Sequence, residues 1–504
     1  MSASAAAATA PAQPSALVIG AGIAGLCCSL ALQRAGFAVE LLERDVPPPE
    51  GGAEEAFFAW QRRGAAQFRH PHAFLGLLCS LLAEHYPELL DDFFAAGARR
   101  VDFADMVPPH LLDQYEPAPG DEKLWVLMCR RATMETVLRR FVERQPKIHI
   151  TNRAYVTGVR TEPAGSALRV TGVELTDRDH NNAKRWLTGD IYVDTTGRAS
   201  KFPQWLAAAG ANIPEEKDDA EIVYYTRHYR LKPGVAEPNR HEHEPFAGDL
   251  RYMKYGVFPG ENGHFALIVC LPLGETELRE AIKDGDNFDA VCRQIPGLVP
   301  WIAPESATAT TDPFGIGDIK AVWRNFVVDD APQVLDFFAV GDACARTNPL
   351  YGRGCSTGSL HAHLLADVLA EHDDPVERAR AFEAATAERI RPIFDASLRE
   401  DKNGIERANA LQQGQELDQA SGLKGWFRLA FGDALAAAVQ KDIHVFRGMM
   451  RTVNLVEKPG AFLEDPRTRR TVFLYMLRGR RRNSQARVQR GPDRRTMLEY
   501  IATL

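Results

Sequence analysis

Ser15-Ala16-Leu17-Val18-Ile19-Gly20-Ala21-Gly22-Ile23-Ala24-Gly25-Leu26 is the stretch whose reading decides the fold. Ser15 to Ile19 reads as a short buried strand, Ile23 to Ala35 as a helix ended by Gly36, and Ala38 to Glu43 as a second strand. The three make a βαβ unit. In its first turn Gly20 permits a tight reversal, Gly22 lets backbone approach a pyrophosphate, and Gly25 allows close helix packing, while the helix N-terminus supplies positive potential. Glu43 closes the second strand, where a carboxylate accepts the hydroxyls of an adenosine ribose. The pattern predicts a dinucleotide site. Alone, it does not separate NAD from FAD.

A distant segment makes that separation. The run Phe337-Phe338-Ala339-Val340-Gly341-Asp342, followed by Asn348-Pro349-Leu350-Tyr351-Gly352-Arg353-Gly354, resembles the second flavin motif of FAD-dependent monooxygenases of the aromatic-hydroxylase type. Three more segments are similar to the same family and to its bacterial polyketide and polyether epoxidases. Arg62-Arg63-Gly64-Ala65-Ala66-Gln67-Phe68-Arg69-His70-Pro71-His72 resembles a pattern with two further prolines. Cys129-Arg130-Arg131-Ala132-Thr133-Met134-Glu135 resembles a segment whose arginine approaches the flavin, which points to Arg130. Asp190 to Ser200 resembles the strand that re-enters the FAD domain, with Thr195-Thr196-Gly197 in place of Ala-Thr-Gly. The resemblance implies FAD held by Gly20, Gly22, Ile23, Ala24, Gly25, Glu43, Arg44, Gln67, Arg130, Val156, Gly197, Gly341, Asp342, Pro349, Gly352 and Gly354. It further implies that Asp342 bonds the ribityl chain and that a helix N-terminus after the second turn stabilises charge on reduced flavin.

The fold class is therefore α/β: a discontinuous Rossmann-like FAD-binding domain with an inserted β-sheet substrate domain and a C-terminal helical region. The expected divisions are a disordered lead over 1–14, the first part of the FAD domain over 15–215 with a helical excursion at 53–145, the substrate domain at 216–310, the return of the FAD domain at 311–375, and a helical region with a basic tail at 376–504. Helical periodicity runs from Leu75 to Leu90 and from Met134 to Glu143. Strand patterns cover His149 to Val159, Leu168 to Leu175, Ile191 to Val193, Ile222 to Leu231, Tyr252 to Phe258 and Phe265 to Leu271. Tyr224, Tyr225, Tyr229, Tyr252, Tyr255, Phe258 and Phe265 either cover the substrate face of the flavin or are ordinary strand residues, and alternation would point only some of them inward.

The 504 residues carry 60 basic against 67 acidic side chains, a net charge of −7, which argues against a general nucleic-acid binder. The stretch from Pro466 to Arg495 departs from this balance, with eleven arginines and one acid, Asp493. It is a solvated helix surface, or a docking patch for an acidic partner or a membrane face. The eight cysteines are scattered without a C-x-x-C pair, as expected of reduced thiols. No spanning run of apolar residues and no basic leader is present, so a cytoplasmic location is expected.

His70 and His72 are candidates for moving a proton beside the flavin, with structural packing as the competing role. His228, His241 and His243 lie in a polar stretch and are expected to face solvent. No second cluster with ligand spacing accompanies any histidine, so no metal site is expected. The resemblance implies insertion of one oxygen atom from O2 into a hydrophobic small molecule by way of a flavin C4a-hydroperoxide, as epoxidation or hydroxylation in secondary metabolism. Epoxidation needs no dedicated protein base, whereas phenol hydroxylation is helped by one, so the lack of an obvious acid–base pair leans towards an alkene or non-phenolic substrate. A reductase of the geranylgeranyl-reductase type, a halogenase without the usual W-x-W-x-I-P segment, and a non-redox cyclase or binding protein that keeps flavin structurally are the alternatives. NAD(P)H or a separate flavin reductase would supply electrons, and an acidic carrier protein is a candidate partner for the basic tail.

Overall fold

The computed structural model describes residues 13–177, 182–239, 244–415, 422–487 and 490–504. The expected lead lies outside them except for its last two residues, and so do His241 and His243. At the centre is a five-stranded parallel sheet in the order Phe337–Ala339, Ile191–Asp194, Ser15–Ile19, Ala38–Leu42, Ile148–Thr151. Three of its strands come from the first 151 residues and the outermost from beyond residue 336, so the sheet closes only when distant parts of the chain meet. Its strands are apolar on both faces, as a parallel sheet covered on both sides requires. Ala16, Val18, Val39 and Leu41 pack under the helices Ile23–Arg34 and Gly354–Glu371. Leu17, Ile19, Leu42 and Phe337 pack instead against Val170, Val173 and Leu175 of a second, antiparallel sheet.

Two sequence-based elements divide. The strand expected over His149 to Val159 breaks at Asn152-Arg153, where Arg153 takes φ +56°. Ile148–Thr151 joins the central sheet, and Ala154–Ala164 pairs antiparallel with Ala167–Asp177. The helix expected over Leu75 to Leu90 splits into Gly76–His85 and Pro87–Ala95. Proline disfavours helical geometry in the residue before it, and Tyr86 sits at φ −142°.

The inserted sheet runs in the order Ala247–Asp249, Lys254–Pro259, His264–Pro272, Ile222–Leu231, Ala307–Ala309, and Phe314–Ile316 also pairs with Ile222–Leu231. It thus continues past residue 310. Alternation along Ile222–Leu231 separates two faces. Tyr225 and Tyr229 join Tyr252, Tyr255 and Phe265 in a core closed by Phe288, Trp301 and Met497. Five of the seven aromatic residues singled out above therefore build the inserted domain itself. Met497 belongs to the helix Arg494–Ile501, so the end of the basic tail packs onto this domain, with Arg494 Nε 2.8 Å from Glu275 Oε1.

Tyr224, Thr226 and His228 point the other way, towards the first domain. His228 is buried, contrary to the solvent-facing expectation, because strand alternation outweighs the polarity of its neighbours in sequence. Its Nε2 donates to the Arg69 carbonyl at 2.8 Å, and His70 Nδ1 meets Thr226 Oγ1 at 2.9 Å. Burial lowers both imidazoles to about 4, so they dock the two domains as neutral rings. Their folded pKa lies below the ordinary 6.5, so the unfolded chain binds more protons between these values and stability falls as pH drops through that window. Each ring can contribute up to roughly 3 kcal/mol of this loss. We expect melting temperature to fall steeply between pH 6.5 and 4, and more shallowly in His228→Gln. Equal slopes for the two proteins would remove His228 from this account.

Candidate functional site

A cavity of about 610 Å³ opens at the C-terminal edge of the central sheet and collects residues from Ile19 to Val453. From the first turn, Gly20, Gly22, Ile23 and Ala24 line it; from just past the strand Ala38–Leu42, Glu43 and Arg44. Gln67, His70 and His72 of the excursion, Val156 of the antiparallel sheet and Gly197 also line it. The return segment adds Gly341, Asp342, Pro349, Gly352 and Gly354.

Two of the expected residues lie elsewhere. Gly25 is behind the lining, where its role is steric: a Cβ there would lie 1.8 Å from the Gly20 carbonyl oxygen. Arg130 does not line the cavity; its side chain turns to Glu261 at 2.6 Å and Glu54 at 2.8 Å. The arginine at the cavity is its neighbour Arg131, which begins the helix Arg131–Glu143 and pairs with Glu135 one turn on at 2.6 Å. A one-residue step at a helix start reverses the direction of the side chain, and the shared C-R-R pattern does not say which arginine faces inward.

The glycine turn is open where a ligand would need it. Gly20 sits at φ +107°, and a Cβ would strike the Thr195 carbonyl oxygen at 2.8 Å. Nothing lies within 4 Å of a Cβ built on Gly22, so its backbone faces free space. Thr195 Oγ1 donates to the Ile19 and Gly20 carbonyls at 2.9 and 2.7 Å, tying two parallel strands below the turn. Glu43 accepts from Ala21 N at 2.9 Å and Asp45 N at 2.8 Å.

Arg62 was not singled out from the sequence, yet it organises this end. It contacts Glu43 at 3.1 Å, Asp45 at 3.2 Å and Glu135 at 2.9 Å, and donates to the Ala21 carbonyl at 3.0 Å. Burial pushes the Glu135 carboxyl up, but Arg62 and Arg131 more than offset this and hold it below the usual range. The only signal was its place at the head of the Arg62 to His72 segment.

At the opposite end, the Asp342 carboxyl is raised by burial, with Arg346, Arg131 and Arg198 opposing. It makes no hydrogen bond to another described residue. The helix Gly354–Glu371 begins beside it, aiming unsatisfied N–H groups and positive potential at the cavity. His72 Nδ1 donates to the His70 carbonyl at 2.9 Å and its Nε2 accepts from Arg131 at 2.7 Å. Burial holds His72 well below the ordinary histidine value, with Arg131 adding to the effect. Both ring nitrogens of His72 are therefore engaged, whereas His70 is bonded through Nδ1 to Thr226.

The inserted sheet forms the remaining wall with Tyr224, Phe258, Ile268, Cys270 and Ile316. Tyr224 Oη donates to Asn348 Oδ1. Asn348 Nδ2 and Tyr351 Oη both donate to Asp401 Oδ1, at 2.7 and 2.8 Å. Burial raises the Asp401 carboxyl. This polar chain joins the sheet, the second glycine turn and the helix Arg391–Gln412. No sequence pattern marks Asp401, which lies more than fifty residues from its partner Asn348.

The matching family model, described as an NAD(P)-binding Rossmann-like domain, covers residues 18–47. Protein Rv3254 of Mycobacterium tuberculosis is 27% identical over 402 residues, spanning 75% of this chain and 78% of that protein. Among solved structures, the chain is similar to pqsL of Pseudomonas aeruginosa, a probable FAD-dependent monooxygenase, at 17% identity and a TM-score of 0.53, over 79% of this chain and 96% of the other. It is also similar to OxyS anhydrotetracycline hydroxylase from Streptomyces rimosus, at 16% identity and a TM-score of 0.54, over 88% and 76%. The chain has the α/β fold of the FAD-dependent monooxygenases, with a Rossmann-like domain, further sheets and C-terminal helices.

Proposed function

We propose that this protein is an FAD-dependent monooxygenase that inserts one oxygen atom of O2 into a hydrophobic small molecule. The observation that carries the reading is one cavity that takes residues from both glycine turns and is walled by the apolar face of the inserted sheet. The residues fit FAD: Gly22 leaves space for a pyrophosphate, and the half-buried Asp342 carboxylate, which lines the cavity, has free capacity for the ribityl hydroxyls. When bound, FAD supplies the activation of dioxygen and the atom transferred.

The remaining work falls to this chain. Gly20, Gly22, Ile23, Ala24 and Glu43, with Arg44, hold the adenosine and phosphates at a helix N-terminus. Gln67, Val156, Gly197, Pro349, Gly352 and Gly354 shape the space between the two turns. Tyr224, Phe258, Ile268 and Ile316 exclude water and orient an apolar substrate. Electrons come from NAD(P)H, directly or through a flavin reductase, and anaerobic bleaching by NADPH separates the two.

The purified protein should carry FAD. Gly25→Val should abolish its retention, since the side chain has no room beside the Gly20 carbonyl. Asp342→Ala should weaken FAD binding by roughly tenfold to a hundredfold, the range for one hydrogen bond to a charged group, as read by fluorescence titration. Retention of FAD by Gly25→Val would remove the turn from the site. Turnover of a candidate substrate under isotopically labelled dioxygen should place one labelled atom in the product. A reduced, rearranged or halogenated product without label would overturn the reaction assigned here.

A further inference from the structure

The C-terminal helices carry a surface that the cavity does not account for. Leu423, Trp426, Phe427 and Phe431 on the helix Gly422–Lys441 are exposed, Leu423 by 74%. So are Phe473, Leu474 and Leu477 on the helix Pro466–Arg478, Leu477 by 69%. Such a concentration of bare aromatic and leucine side chains marks an interaction surface.

The pattern is ordered. At about 100° per residue, Leu423, Trp426, Phe427 and Phe431 fall on the same stripe as Ala434, Ala437 and Ala438. The second half of that stripe is buried, with Ala434 and Ala438 packed beside Val445 and Val472, whereas in the first half only the small Ala430 is buried and the four large side chains stay exposed. Phe473, Leu474 and Leu477 lie on the side of their helix opposite Thr468 and Val472, the buried ones. Because this second helix lies on the apolar stripe of the first and its own apolar triplet faces away from it, the two bare surfaces are directed to the same side.

Cations surround them. From Pro466 to Asn483 the chain has seven arginines and no aspartate or glutamate. Arg480 pairs with Asp433 at 3.0 Å. Arg470, Arg478, Arg481 and Arg482 are exposed and have no acidic partner among the described residues. We infer that this face docks onto an anionic lipid surface. Apolar side chains at bilayer-interface depth, with arginines at the headgroups, satisfy both halves of the pattern. A second copy of the chain across a two-fold axis would set these arginines against their own equivalents. A bilayer interface meets the apolar side chains and the arginines over one continuous surface; binding to a soluble acidic protein with no flotation on anionic vesicles would assign the face to that partner instead. No described helix is long and apolar enough to cross a membrane, so the protein lies on the surface.

The same helical layer reaches the cavity. Val453, at the end of the helix Ile443–Val453, lines it and is 43% exposed. The docking itself is independent of the redox reading, because it is measured without turnover.

The test is flotation of the full chain with vesicles of phosphatidylcholine containing phosphatidylglycerol, against vesicles of phosphatidylcholine alone. The chain should float with the anionic vesicles and far less with the neutral ones. Arg470→Gln, Arg478→Gln and Arg481→Gln should each lower the partition about fivefold, and Leu474→Ser with Leu477→Ser should abolish it at unchanged melting temperature. Absence of flotation, or flotation unaffected by these changes, overturns the proposal. So does sedimentation showing a dimer that Leu474→Ser with Leu477→Ser converts to a monomer.

Discussion

The architecture depends on how closely a helix and three strands approach one another beneath the first glycine turn. Gly25 leaves no room for a Cβ against the Gly20 carbonyl, and Gly20 leaves none against Thr195 of the neighbouring strand. Thr195 in turn bonds the carbonyls of Ile19 and Gly20. This contact fixes where the helix Ile23–Arg34 begins and therefore where its positive end points. The same helix meets the return segment through Ala24, which a Cβ on Gly341 would approach to 3.0 Å and one on Gly358 to 3.2 Å. Small residues at these crossings set both helix N-termini on one cavity, although more than three hundred residues separate them along the chain.

Charge burial follows from that packing. Arg62 is enclosed among Glu43, Asp45 and Glu135, an arrangement in which removing one partner strands the others in a low-dielectric interior. The interface between the two domains solves the same problem differently. His70 and His228 stay neutral and exchange single hydrogen bonds with Thr226 and the Arg69 backbone, while Glu261 meets Arg130 through both its backbone N–H and its guanidinium. The polar chain from Tyr224 through Asn348 to Asp401 extends this logic across the wall that the inserted sheet gives the cavity. It also sets a buried carboxyl behind Tyr351, a residue that lines the cavity.

The βαβ unit, the second glycine turn and the discontinuous sheet were legible because each rests on local rules: apolar runs of strand length, glycines at a turn, and a carboxylate at a strand end. The inserted sheet was legible for the same reason, and its three main strands begin within two residues of the patterns that foretold them. Direction was harder. Arg130 and Arg131 are adjacent and chemically identical, and only the phase of the helix Arg131–Glu143 decides which one meets the cavity. The aromatic residues divided likewise, with Tyr224 and Phe258 at the cavity and Tyr225, Tyr229 and Phe265 in the core of the insertion.

By itself, the sequence determined the order of elements, the two glycine turns, and the strongly basic character of the last forty residues. These are properties of short windows, where backbone sterics and apolar periodicity act within a few residues. Only the tertiary structure decided that Arg62 clamps the first turn, that Asp401 reaches Asn348 and Tyr351, that His228 is buried, and that the arginines of the tail flank an uncovered apolar face. Each of these joins side chains from elements far apart in sequence, and such contacts exist only once the sheet has closed.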